Sequence, residues 1–207
     1  MARQASGKSN STPLTFLYLG APSFEKTDAM KLQTYGFSAV GCNVQHLHTT
    51  VLSTSPSVAQ MRSAIEKADI IAVSGGNTLF GIARWCRLGV DKMLRVAWKR
   101  GAIMCGGSAG AICWFNGGHS DSLDPTTVLN PKDTLSDKEK ASWSYVRVAG
   151  LGFIPGLCCP HHDQVQSNGV LRATDFDRML LQNPAEVGIC IDNNAAFITE
   201  GDSWRVL

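Results

Sequence analysis

Residues 106–110 read Gly-Gly-Ser-Ala-Gly and stand between a short apolar run, Ala102 to Cys105, and a stretch from Ala109 to Phe115 that can start a helix at once. A G-x-S-x-G turn from strand to helix needs small residues around its serine, because the backbone must take a strained conformation that lifts the hydroxyl above the sheet. The same turn sets Ser108 at a helix N-terminus, where free amides and the dipole favour negative charge. That is the setting of an acyl-transfer nucleophile. A phosphate-binding loop would share the glycines, but its Walker lysine is missing. Such a serine needs an oxyanion hole of backbone N–H donors, each worth about 10²–10³ in rate. Ala109 N–H is placed for one. Gly76, in the Ser74-Gly75-Gly76-Asn77-Thr78 segment, is the candidate for the other, since backbone without a Cβ can approach substrate closely. Asn77 is both the expected N-cap of the next helix and a candidate substrate contact.

The serine needs a base, and five histidines are available: His46, His48, His119, His161 and His162. His161 follows Cys158-Cys159-Pro160 at the exit of an apolar run, the strand end where parallel sheets place their ligands. His46 and His48 fit a solvent-facing loop after the second strand, and His119 falls in an irregular stretch. The third member of a triad orients the imidazole and stabilises its charge, and its loss costs about 10⁴ in rate in the serine-protease template. Asp121, just after the helix that Ser108 begins, is the first candidate; Glu186 and Asp192 are the alternatives. No metal or other cofactor is expected. The seven cysteines lack CxxC or Cys/His ligand spacing and read as buried thiols of a reducing compartment. Cys158 and Cys159 beside His161 and His162 point to alternate faces of a strand and cannot easily share an ion.

The elements that must position these residues follow from hydrophobic spacing. Thr15 to Gly20 and Ala39 to Val44 read as strands around a helix over Phe24 to Tyr35. Val58 to Ala68 has helical spacing, and Asp69 to Val73 is a continuous apolar strand, the pattern of burial on both faces. Helices follow over Leu79 to Leu88 and Asp91 to Lys99, then the strand and helix around Ser108. Asn116 to Ser144 carries no apolar periodicity and reads as a long excursion with a short helix over Asp137 to Trp143. The sheet resumes at Gly152 to Cys159, a helix spans Thr174 to Gln182, and Val187 to Ile191 with Ala195 to Thr199 read as a closing pair of strands. The fold class is α/β, a mostly parallel central sheet with helices on both faces. Residues 1–12 are small and polar and read as a flexible leader, leaving 13–207 as a single catalytic domain. Leu207 follows Trp204 abruptly, so a final strand is expected beyond it.

Bulk composition narrows the partners. Hydrophobic residues make up 44% and charged ones 17% of the 207, a globular balance. Nineteen Lys and Arg against 17 Asp and Glu leave a net charge of +2, too even for the basic face that nucleic acid requires. The apolar runs fall short of the roughly 18–20 residues needed to cross a bilayer, and the N-terminus has no secretion signal. A cytoplasmic monomer or homodimer, with neither nucleic acid nor membrane as partner, is the expectation.

Three blocks in order, Ser74-Gly-Gly-Asn-Thr-Leu-Phe, Gly106-Gly-Ser-Ala-Gly-Ala and Cys159-Pro-His161, make most of Thr15 to Thr199 resemble the peptidase E family, the alpha-aspartyl dipeptidases related to cyanophycinase. The resemblance implies a class I glutamine amidotransferase-like fold, a flavodoxin-like three-layer sandwich, with serine in place of cysteine and no metal. It implies Ser108 as nucleophile, His161 as base and Gly76 with Ala109 as oxyanion donors. Peptidase E proper has an aspartate that matches Asp121, whereas cyanophycinase-like members use a glutamate after the Ile-Asp of a late strand, where this chain has Asn193. Members that prefer an N-terminal aspartate use an arginine after the histidine, and Arg172 and Arg178 lie near that place. The implied activity is hydrolysis of dipeptides with N-terminal Asp through a Ser-His-Asp triad and an acyl-enzyme. A small serine esterase and a noncatalytic relative that has lost the acid are the alternatives.

Overall fold

In a computed structural model, which describes residues 7–9, 12–128 and 135–207, the first half of the chain alternates strand and helix, with the second strand at Asn43–Leu47 rather than Ala39 to Val44 because the preceding helix runs through Ala39. It comprises β1 (Thr15–Leu19), α1 (Thr27–Ala39), β2 (Asn43–Leu47), α2 (Val58–Lys67), β3 (Ile70–Val73), α3 (Thr78–Leu88), α4 (Val90–Lys99) and β4 (Ile103–Gly106). The four strands form a parallel sheet in the order β2-β1-β3-β4. β3, inside that sheet, is buried at every position, which is why its sequence is continuously apolar rather than alternating. Capping fixes the helices: Ser57 and Gln60 close a capping box on α2, and the Asn77 side chain accepts from Phe80 N–H at the start of α3.

The second half departs from the sequence pattern. The helix after Ser108, α5, spans only Ala109–Ile112, and the chain becomes strand again at β5 (Phe115–Ser120). The segment read as the start of an excursion is therefore an inner strand, paired in parallel with β7 (Ile154–Pro160) and antiparallel with β6 (Val146–Ala149). Its Gly117 and Gly118 concealed it. A Cβ there would stand 2.4 Å from Val148 O and Cys158 O respectively, so neighbouring backbones press where strand-forming side chains would normally signal. A short helix α6 (Asp137–Ala141) precedes β6; α7 (Arg172–Gln182) and β8 (Gly188–Ile191) complete a second sheet of order β6-β5-β7-β8. The expected closing pair does not pair with itself. β8 joins β7, while β9 (Phe197–Glu200) forms a hairpin with β10 (Ser203–Val206).

One core joins the two sheets: Leu17, Ile71, Trp85 and Leu94 from the first half cluster with Phe115, Val148 and Cys158 from the second. Of the expected leader, residues 1–6, 10 and 11 lie outside the described residues, and Lys8 is tied down by Asp69 at 2.6 Å. Among the described residues no helix is long and apolar enough to cross a membrane.

Candidate active site

Strand register brings the chemistry-bearing turns together in pairs. Val73 is level with Gly106 in the β3–β4 ladder, so the Ser74–Thr78 loop and the Ser108 turn leave the sheet side by side. A Cβ on Gly75 would come within 3.4 Å of the Ser108 Cβ. Ser108 itself has φ 56 and ψ −121, a conformation that costs a non-glycine residue about 1–3 kcal/mol and persists only where its surroundings enforce it. They do so through Gly110, where a Cβ would lie 2.1 Å from Val73 O: only glycine lets α5 seat its first turn on the end of β3. Ala109 is the first residue of that helix, so its N–H has no acceptor within it. Gly76 has φ 123, and a Cβ there would stand 2.2 Å from Pro22 O. Among the described residues neither the Gly76 nor the Ala109 amide donates to a backbone carbonyl in any turn or loop. The Ser108 hydroxyl likewise has no partner among them.

The second pairing sets His161, the candidate base. Pro160 is level with Ile191 in the β7–β8 ladder, so His161 and Asn193 emerge together. His161 Nδ1 lies 2.5 Å from Asn193 Oδ1. An amide oxygen can only accept, so Nδ1 carries the proton and Nε2 keeps its lone pair, the tautomer a general base requires. His161 also has positive φ, at 52. Asn193 is held in turn by its backbone N–H, which donates to Asp163 Oδ1 at 2.9 Å.

Asp121, expected to orient His161, is engaged elsewhere. β7 runs between β5 and β8; Asp121 leaves on the β5 flank, whereas the His161 ring turns to the β8 flank. The Asp121 carboxylate faces Arg172 Nη1 at 3.4 Å. Arg172, expected to meet substrate, is fully buried. Its Nη2 donates to His119 O at 2.6 Å, and its guanidinium lies 5.1 Å from the Tyr145 ring centroid. A buried cation stripped of its counter-charge is costly, which accounts for the attachment of Asp121. Asn77 is also committed: besides capping α3 it donates through Nδ2 to Ser122 O and Thr127 Oγ1. The alternative acids are paired too, Glu186 with Arg147 and Asp192 with His162.

His119 is a fully buried residue of β5, bonded through Nε2 to Asp175 at 2.8 Å. Burial pushes its pKa down to about 4; the Asp175 hydrogen bond pulls upward, and the Arg172 cation adds to the depression. A neutral, enclosed imidazole cannot reach the serine turn. Burial also raises Cys105 to about 11 and Cys159 to about 12, and drives Cys113 and Cys158 well up. No group of three metal-ligating side chains converges among the described residues. Asp163 is the residue that sequence reasoning did not place in the site, and Asn193 entered it only as the residue standing where cyanophycinase-like members have a glutamate. The contacts of both depend on β7 and β8 being neighbours.

The model of peptidase family S51 matches residues 4–207. The chain is 35% identical over 129 residues to the uncharacterized peptidase YgaJ of Bacillus subtilis (strain 168), a match that covers 62% of this chain and 46% of that protein. It therefore spans less than half the length of that curated relative. Among solved structures, a peptidase E candidate from Listeria monocytogenes EGD-e superposes with a TM-score of 0.64 at 20% identity, over 99% of this chain and 90% of the other. A peptidase from an acI-B1 Actinobacterium does so with a TM-score of 0.70 at 17% identity, over 100% and 78%. At these identities the structural likeness speaks to the fold: an α/β, mostly parallel sheet with helices, of the amidotransferase-like kind.

Proposed function

The chain belongs to peptidase family S51, and on that premise we propose that it is a serine-type peptidase that hydrolyses short peptides with Ser108 as nucleophile, His161 as base and Asn193 as the residue that orients it. The observation that carries this reading is the strained Ser108 backbone at the head of α5, the conformation by which a strand-to-helix turn lifts a serine hydroxyl clear of the sheet. In the reaction Ser108 Oγ attacks the scissile carbonyl while its proton passes to His161 Nε2. The Ala109 and Gly76 amides receive the developing oxyanion. His161 then gives the proton to the leaving amine, and the Ser108 acyl-enzyme is hydrolysed by water activated in the same way. Asn193 supports orientation alone, as in the Cys-His-Asn arrangement of other peptidases.

Substrate choice follows from what the site leaves free. Because the Arg172 charge is already met by Asp121 inside the protein, it gives no advantage to an N-terminal aspartate. A fluorophosphonate probe is expected to label the wild type and not Ser108→Ala, and a dipeptide panel to show Asp-Xaa cut no faster than neutral Xaa-Xaa. Equal labelling of both proteins would remove Ser108 from the mechanism. A large Asp-Xaa preference that vanishes in Arg172→Met would restore the arginine as a substrate contact.

A further inference from the structure

Asn193 leaves an electrostatic gap, because an amide can orient an imidazole but cannot neutralise the imidazolium formed during acyl transfer. The missing charge is one hydrogen bond away. Asp163 stands two residues after His161, and its Oδ1 accepts the Asn193 N–H at 2.9 Å. The same carboxylate takes a hydrogen bond through Oδ2 from Gln164 Nε2, also at 2.9 Å. The Asn193 amide is the largest influence holding its pKa below the usual carboxylate range, and the His161 charge acts in the same direction.

The other titratable groups around these strand ends are already engaged. His162 and Asp192 face each other at 3.3 Å, and on the β5 flank Asp121 and Arg172 pair at 3.4 Å. The Gly75–Thr78 and Gly106–Ile112 segments contain no charged side chain. Asp163 is thus the carboxylate at the base with no cation of its own.

The geometry assigns Asp163 as a positioning residue that locks Asn193 onto His161 and supplies, across that contact, the negative charge that Asn193 lacks. This rests on His161 being the base. The arrangement divides between two residues, orientation to Asn193 and charge to Asp163, what one carboxylate does in a Ser-His-Asp triad.

Asp163→Asn and Asp163→Ala separate the two roles, since an asparagine oxygen still accepts the Asn193 N–H and alanine does not. In Asp163→Asn, kcat/KM is expected to fall about two- to fivefold, the scale of an exposed charge contact. The acid limb of its pH profile is expected to move to lower pH, because the imidazolium loses the carboxylate that favours it. Raising salt from 20 to 500 mM, roughly a fivefold contraction of the screening length, is expected to move the wild-type acid limb the same way and leave Asp163→Asn unmoved. Asp163→Ala is expected to lose about tenfold or more, as orientation fails as well. An acid limb and salt response identical in wild type and Asp163→Asn would overturn the assignment while Ser108→Ala remains dead. An active Ser108→Ala would instead overturn the serine mechanism and Asp163 with it.

Discussion

The nucleophile proposed for this chain is an oxygen in a protein with seven thiols, and burial sets four of those thiols apart. Cys113 and Cys158 are fully enclosed, and Cys105 and Cys159 are held at about 11 and 12. A thiolate is the reactive form, so near neutral pH these four are inert. Iodoacetamide at pH 7.5 is expected to leave them unmodified in the native protein and to mark Cys86 and Cys190, whose thiols are also raised by partial burial but lie exposed to the reagent, as peptide mass mapping would show. Alkylation of Cys105 with parallel loss of turnover would argue for a thiol in the reaction. The turn that carries Ser108 and the strand exit that precedes His161 were legible in the sequence because each is announced by its own neighbours, glycines around the serine and an apolar run before the histidine. Asn193 was visible only as a departure from a family pattern. Its contact with His161 depends on which strand lies beside β7, and no local run of residues carries that information.

At the level of elements, the site is built where strands end, and glycine decides how closely those ends approach. Gly76 and Gly107 flank the nucleophile in different ways. Gly76 combines φ 123 with a Cβ position 2.2 Å from Pro22 O, whereas a Cβ on Gly107 meets nothing within 4 Å. Gly76→Ala is expected to cost about 1–3 kcal/mol in stability and to lower kcat more than it raises KM, because a displaced amide is felt most by the oxyanion. Gly107→Ala is expected to melt within a few degrees of wild type. Urea titrations and steady-state kinetics on the pair check both; equal behaviour of the two variants would count against a special role for the Gly76 backbone. The same dependence on backbone approach explains which elements the sequence hid. β1, β3 and β7 announce themselves by apolar runs, whereas β5 is interrupted by Gly117-Gly118 and β6 is four residues long. β10 is exposed throughout, so burial imposes no pattern on it.

Across the whole molecule, a buried polar assembly fastens the second sheet to its helix and decides what the site can use. Arg172 at the head of α7 holds Asp121 and the His119 carbonyl, His119 bonds Asp175 of α7, and the Tyr145 ring lies tilted against the His119 ring, centroids 4.2 Å apart. This assembly holds Asp121 against the buried Arg172, and it makes folding sensitive to acid. His119 binds its proton at about 4 in the folded protein and near 6.5 when unfolded. Between those values the unfolded chain holds more protons, so the contribution of a neutral His119 is complete above about pH 6.5 and is lost as pH falls toward 4. A shift of that size corresponds to about 3 kcal/mol. His119→Gln keeps an amide donor for Asp175 and does not titrate, so it is expected to lose about that much less stability than wild type between pH 6.5 and 4 in urea unfolding monitored by tryptophan fluorescence. Parallel decline of the two proteins would place the acid sensitivity in a group other than His119; Asp163 and Glu186 are not that group, because both are held below the usual carboxylate range and lose their charge only further down the pH scale.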